Sequence, residues 1–227
     1  MSAADATVVP LRRGDVGAIY RLYLAALARV PNPAAVRPDE PSFFDTIFDT
    51  GGEVLGLLAA GRLAAYGVLR PELTSELDRV GLEGIAGPCE RLWVLDGSAV
   101  HPDYWRHGMQ RTIIEERLAR IAALGARHVI AKASPGNLPS LRNLLKCGFV
   151  TVGLVRKPYG WRYVQYRPVA APIVQPAEGI WIAAGNIEEA RARFAAGEVA
   201  SACHAGADHV VELQFAQMPA LRSRWSP

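Results

Sequence analysis

Val94-Leu95-Asp96-Gly97-Ser98-Ala99-Val100-His101-Pro102-Asp103-Tyr104-Trp105-Arg106-His107-Gly108-Met109-Gln110-Arg111 is the stretch whose reading decides the fold. Its apolar first part reads as a β-strand that must stop at Pro102, because proline has no N–H to give to a ladder. Beyond Gly108, Ile114, Leu118 and Ile121 recur at helical spacing. Glu115, Glu116, Arg117 and Arg120 fall elsewhere on the wheel, and Gly125 is placed as the C-terminal cap. Between strand and helix, Arg106, His107 and Arg111 surround Gly108. Free amides at a helix start, the positive end of the helix dipole and nearby cations make an anion site, most naturally for a diphosphate.

A second motif follows downstream, Asn137-Leu138-Pro139-Ser140-Leu141-Arg142-Asn143-Leu144-Leu145-Lys146-Cys147-Gly148-Phe149. In their order, separation and helix–strand context, the two segments resemble the acyl-CoA-binding signatures of the GNAT family of N-acetyltransferases, over roughly residues 6–168. The central glycine of the turn matches, while Gln110 stands where the family has glycine or alanine. The resemblance implies an α/β (mixed α+β) fold with a mixed, mostly antiparallel sheet flanked by helices. It also implies acetyl-CoA as co-substrate, with the pantetheine arm on the backbone of Ser98, Ala99 and Val100. The diphosphate would meet the amides of Arg106, His107, Gly108, Met109, Gln110 and Arg111. Asn137 would bond the pantetheine or cap its helix, with Ser140 one turn on and in reach of the cofactor.

The bulk properties agree with a soluble enzyme. A chain of 227 residues, 50% hydrophobic, can bury a sizeable core. No apolar run is long enough to span a membrane, and the N-terminus lacks the pattern of a signal peptide. Cys89, Cys147 and Cys203 have no metal-ligand spacing, and their odd number argues against a disulfide framework, so a reducing cytoplasm is expected. A net charge of +3 is too small to imply nucleic acid as a partner. Arginine outnumbers lysine and alanine is abundant, which suggests a GC-rich bacterial genome.

In chain order, Thr7–Leu11 reads as a strand and Asp15 as the N-cap of a helix with Ile19, Leu22, Tyr23, Ala26 and Leu27 on its apolar face. Ser42 is expected to cap a short helix carrying Phe43, Phe44 and Phe48, which serve as core or as an apolar substrate wall. Strands 53–58 and 63–69 form a hairpin. Residues 71–88 read as a long, partly helical connection with regularly spaced glycines, of the kind that serves as a lid. Residues 128–133, 149–155 and 162–166 are further strands. Past Pro168, Pro172 and Pro176, residues 180–183 and 211–215 read as strands. Between them lies a helix that Asn186 and Glu189 open as a capping box. This divides the chain into an acetyltransferase domain, 1–170, and a small strand-helix-strand extension, 171–227, that would form a homodimer contact or cover the acceptor site.

The chemistry requires a neutral amine, yet a lysine-type amine has a pKa of about 10 and an α-amine about 8. A base and a proton donor to the departing thiolate are therefore useful. Glu90 and Asp96 share strand parity about 20 Å apart, and Asp96, nearer the cofactor, is the expected base, unless Asp96-Gly97 only shapes a strand distortion. Many family members carry a tyrosine where this chain has Leu144, so the donor is sought among Tyr159, Tyr163 and Tyr166 on the late hairpin. The resemblance thus implies acetyl transfer to a primary amine of a small molecule or peptide, by direct attack in a ternary complex. A non-catalytic acyl-CoA-binding or protein-interaction module is the alternative, motivated by Leu144 and Gln110.

Overall fold

Strand β1 (Thr7–Leu11) runs antiparallel to β2 (Glu53–Ala59), which turns into β3 (Arg62–Pro71), and β3 pairs antiparallel with β4 (Leu92–Val100). Ala60 and Gly61, the two residues of the β2–β3 turn, both have positive φ, as a tight hairpin requires. The computed structural model describes residues 6–31, 33, 36, 37, 39–72, 92–173 and 178–218. The chain forms two compact units, Met1–Pro71 with Trp93–Gly125, and Glu72–Leu92 with Ala126–Pro227.

In the first unit β2 and β3 are nearly continuous apolar runs, the pattern of strands covered on both faces. Val54, Tyr66 and Val68 face α1 (Val16–Leu27) and α2 (Pro41–Asp49), which supply Ile19, Leu22, Tyr23, Phe44 and Ile47 to a common core. Each such side chain contributes about 1.5–3 kcal/mol on burial. Gly67 alternates to the opposite face, where α3 (Met109–Ala123) lies against β2 and β3. Phe44 is core, whereas Phe43 and Phe48 are only partly buried. Two expectations shift here. The N-cap of α2 is Glu40, because Pro41, with φ already fixed for a helix, takes the first turn ahead of Ser42. Asp15 does sit before α1, but its carboxylate accepts from the Arg12 amide at 2.7 Å across the preceding turn.

In the second unit β5 (His128–Ala133) pairs antiparallel with β7 (Gly160–Pro168), the hairpin partner of β6 (Val150–Lys157). Past α4 (Leu138–Lys146), Gly148 reverses the chain, and Leu141, Leu144 and Leu145 are buried as one face. The extension adds β8 (Ile180–Ala183), α5 (Ile187–Ala195), β9 (Glu198–Ala205) and β10 (Val211–Gln217). It continues the sheet, since β9 joins β6 at Thr151–Ala200, and β10 lies between β9 and β8. β9 is a strand the sequence pattern does not announce: Ala, Ser and Cys have little β-preference, and tertiary pairing decides it. Asn186 caps α5 by accepting from the Glu189 amide at 3.2 Å, but the Glu189 carboxylate turns to Arg193 instead of closing the box. The expected lid at 71–88, together with Cys89 and Glu90, lies almost entirely outside the described residues. Among the described residues no helix is long and apolar enough to cross a membrane.

Gly148 has φ +81°, and a β-carbon there would run into Pro172. Gly148→Ala combines left-handed strain with that clash and is expected to cost about 2 kcal/mol or more. In thermal unfolding this reads as a midpoint lower by roughly 4–8 °C.

Candidate functional site

Asp96 and Gly97 stand together opposite the single residue Val68. The register passes from Gly67–Ser98 to Leu69–Leu95, so β4 carries a bulge there. Such a bulge leaves backbone carbonyls without ladder partners, and Arg117 reaches up from α3 to meet them. Only 2% exposed, its Nη1 donates to the carbonyls of Val68 at 3.0 Å and Asp96 at 3.4 Å, and its Nε to Ile113 at 3.0 Å. Gly67 makes room for it, since a β-carbon at that position would lie 2.6 Å from Arg117 Nε. Arg117 therefore belongs to the buried face of α3, although the sequence reading sets it apart from the apolar residues of that helix. The signal was present in the spacing: position 117 lies four residues from both Ile113 and Ile121, in the middle of the apolar stripe.

On the same bulge the Asp96 carboxylate accepts from Arg37 Nη1 and Arg70 Nε, both at 2.8 Å. Arg37 also holds Asp39 through Nε and lies over the Phe43 ring at 4.1 Å. Tyr23 fixes this loop from α1, its hydroxyl donating to the Arg37 carbonyl at 3.0 Å and accepting from the Asp39 amide at 3.2 Å. Asp39 is 7% exposed, and burial raises its carboxyl above the ordinary value against the pull of the Arg37 guanidinium. Arg37, Asp39 and Arg70 carry no sequence signal for this role. They meet only because the chain brings Arg37, Asp39 and β3 onto β4.

Downstream, Ser98 is exposed and Ala99 and Val100 are half-buried at the end of β4. Trp105 Nε1 donates to the Val100 carbonyl at 2.8 Å, and His107 Nδ1 lies 2.9 Å from the Trp105 carbonyl. Arg106 and Gly108 both have positive φ, and this turn leads into α3, whose N-terminus no side chain caps. Arg106, His107 and Arg111 are exposed around it, Met109 is buried beneath it and Gln110 is half-buried. The arrangement suits a polyanion: concave backbone, an uncapped helix dipole and guanidiniums at the rim.

In the second unit Asn137 Oδ1 accepts from the Ser140 amide at 3.1 Å, the N-cap of α4. Leu144 is core. Tyr163 lies in the core as well, 0% exposed, with its hydroxyl donating to the Ala184 carbonyl at 2.7 Å and burial raising its pKa. Tyr166 is likewise buried, 3.0 Å from His128 Nδ1. Tyr159 is half-buried, with the Arg162 guanidinium 4.5 Å from its ring centre. Of the three phenols considered as proton donors, only Tyr159 lies partly exposed. The described residues hold no cluster of metal-ligating side chains.

The family model described as "Acetyltransferase (GNAT) family" matches residues 13–149. No curated protein matches the sequence. Among solved structures, the ribosomal-protein-S18-alanine N-acetyltransferase from Escherichia coli is 18% identical with a TM-score of 0.56, covering 77% of this chain and 99% of its own. A phosphinothricin acetyltransferase from Sinorhizobium meliloti, solved in complex with acetyl-CoA, is 19% identical with a TM-score of 0.56, covering 78% of this chain and 95% of its own. The ribosomal-protein-alanine N-acetyltransferase from Brucella melitensis is 15% identical with a TM-score of 0.53, over 71% and 99% of the two chains. At these identities the likeness is one of fold.

Arg117→Met keeps the buried stem but removes the donors beneath the bulge. It is expected to lower the unfolding free energy by about 2–4 kcal/mol, read as a lower urea midpoint with an unchanged denaturant slope.

Proposed function

The chain belongs to the GNAT acetyltransferase family, and from that premise we propose that it transfers acetyl from acetyl-CoA to a primary amine by direct attack in a ternary complex. The observation that carries this reading is the turn between β4 and α3, with positive φ at Arg106 and Gly108, an uncapped helix start and exposed cations. The fit to a diphosphate is mostly through backbone, so Gln110 in place of glycine does not remove it. Arg106, His107 and Arg111 supply the charge, Met109 and Gln110 the helix amides, and Ser98, Ala99 and Val100 the strand backbone for a pantetheine arm. Asn137 and Ser140, at the head of α4, carry the proposed side-chain contact to the cofactor.

Acetyl-CoA supplies an activated acetyl group. The chain's own task is to bind and orient it, to take a proton from the ammonium form of the acceptor, and to return one to the departing sulfur. Asp96, on the bulge beside Ser98, holds two arginines around the place where the amine would enter. Tyr159, the partly exposed phenol, is the proposed donor. The acceptor is a small-molecule or peptide amine, and the proposed setting is a bacterial cytoplasm, in keeping with Cys147 and Cys203 forming no disulfide among the described residues. For residues 171–227, appended to the acetyltransferase domain 1–170, the proposed role is a homodimer contact through β8, where Ile180 and Trp181 are exposed.

Acetyl-CoA and desulfo-CoA should each raise the melting midpoint. At 100 times Kd the gain is about 2.7 kcal/mol, or roughly 5–10 °C for a chain of this size. The double change Arg106→Glu, Arg111→Glu should abolish most of the shift while leaving the ligand-free midpoint within about 2 °C, since both side chains are exposed. Stabilisation without thiol release on a panel of primary amines would favour the non-catalytic acyl-CoA-binding module.

A further inference from the structure

Two carboxylates stand at the β4 bulge, and they are not equivalent. Both oxygens of Asp96 accept from guanidiniums, Oδ1 from Arg37 and Oδ2 from Arg70, each at 2.8 Å. Asp39 is held by Arg37 through Oδ1 alone. Among the described residues no hydrogen bond or ion pair engages its Oδ2. That oxygen and Arg37 Nη2 both lie 3.3 Å from where a β-carbon on Gly97 would stand. Gly97 directly precedes Ser98, the first residue of the proposed pantetheine-binding backbone. The bulge, the missing side chain at Gly97 and the Tyr23 clasp together aim one carboxylate oxygen at the strand end where the acetyl group is expected.

We propose that Asp39 is the catalytic base that deprotonates the acceptor amine, and that Asp96 is a positioning residue that holds Arg37 beside it. This rests on the amine-acetylation reading given above. The ammonium R–NH3+ gives a proton to Asp39 Oδ2, leaving R–NH2 and a neutral carboxylic acid. The nitrogen lone pair then forms the C–N bond to the acetyl carbon while the C–S bond breaks with its electron pair on sulfur. The second nitrogen proton replaces the one that Tyr159, the proposed donor, gives to that sulfur, yielding amide and free thiol, and Asp39 returns its proton to solvent. Burial favours the uncharged form of the carboxyl, which assists its acting as acceptor. The titratable and charged groups that face it are Arg37 on its own loop, Tyr23 on α1, Tyr66 on β3 and Asp96 on β4. Helix α2 presents the uncharged Phe43. Of these, Asp39 offers a carboxylate oxygen with no partner among the described residues, on the side where Gly97 lacks a side chain.

The test compares wild type, Asp39→Asn and Asp39→Glu in the full chain, by thiol release from acetyl-CoA with a panel of primary amines across pH. The panel includes tripeptide α-amines of pKa about 8 and an N-acetylated lysine of pKa about 10. Asp39→Asn should lose about 10²–10⁴-fold in kcat at pH 7 while keeping the wild-type melting shift with acetyl-CoA. The loss should shrink below tenfold once pH exceeds the pKa of the amine used, because solvent then supplies the neutral nucleophile. Asp39→Glu should recover part of the rate. Thiol release by Asp39→Asn within threefold of wild type, or a loss that is the same at every pH, overturns the proposal and leaves the acetyltransferase reading standing. A wild type that binds acetyl-CoA yet releases no thiol with any amine overturns both together.

Discussion

A guanidinium buried under a distorted strand is the constraint on which the first unit turns. A bulge of two residues opposite one must leave carbonyls unpaired, and an unpaired buried carbonyl costs more than most single contacts return. Arg117 answers that need from α3, and it can do so because Gly67 offers no side chain. The helix is thereby docked at a fixed height under the strand. Its N-terminus, two turns back, is fixed with it, and so are Gly108 and the cationic turn. An anion site made mostly of backbone keeps its geometry only if something rigid sets the position of the helix.

On the other face of the same bulge a second charge system is built without metal ligands or histidine. Asp39, Arg37, Asp96 and Arg70 alternate in sign, each guanidinium bridging or flanking a carboxylate. Such a chain satisfies most of its own hydrogen-bonding capacity, which makes half-buried charge tolerable. Among the described residues, Asp39 Oδ2, near Gly97, has no partner in it. A site for proton transfer can thus arise as the unsatisfied remainder of a network that is otherwise structural.

Much of the architecture was legible because it is local. Pro102 ends β4, Gly125 and Gly148 close their helices with positive φ, Asn137 and Asn186 cap theirs, and His128–Ala133 is a strand with the bounds its composition indicates. What escaped is non-local. β9 is a strand because β6 and β10 flank it, and its alanines and serine carry little preference of their own. Arg117 reads as lying off the apolar stripe because it is charged, and only the bulge on another strand explains its burial. Asp96 stands out in the sequence as the carboxylate nearer the cofactor strand end, and it lies at the bulge, but the arginines that engage it come from positions 37 and 70, which no spacing rule connects to it. Tyr163 was a reasonable phenol to nominate until its hydroxyl proved to be tied to Ala184, in a segment whose place in the sheet the sequence does not reveal.

The Tyr23 hydroxyl grips two peptide groups, the carbonyl of Arg37 and the amide of Asp39. Backbone groups are the same whatever residue bears them. A loop anchored in this way can exchange its side chains, and so the chemistry it offers to an incoming molecule, without loosening its hold on the helix. Where a proposed acceptor site is bordered by such a segment, its shape is held by a residue in α1 while the side chains it presents are free to change.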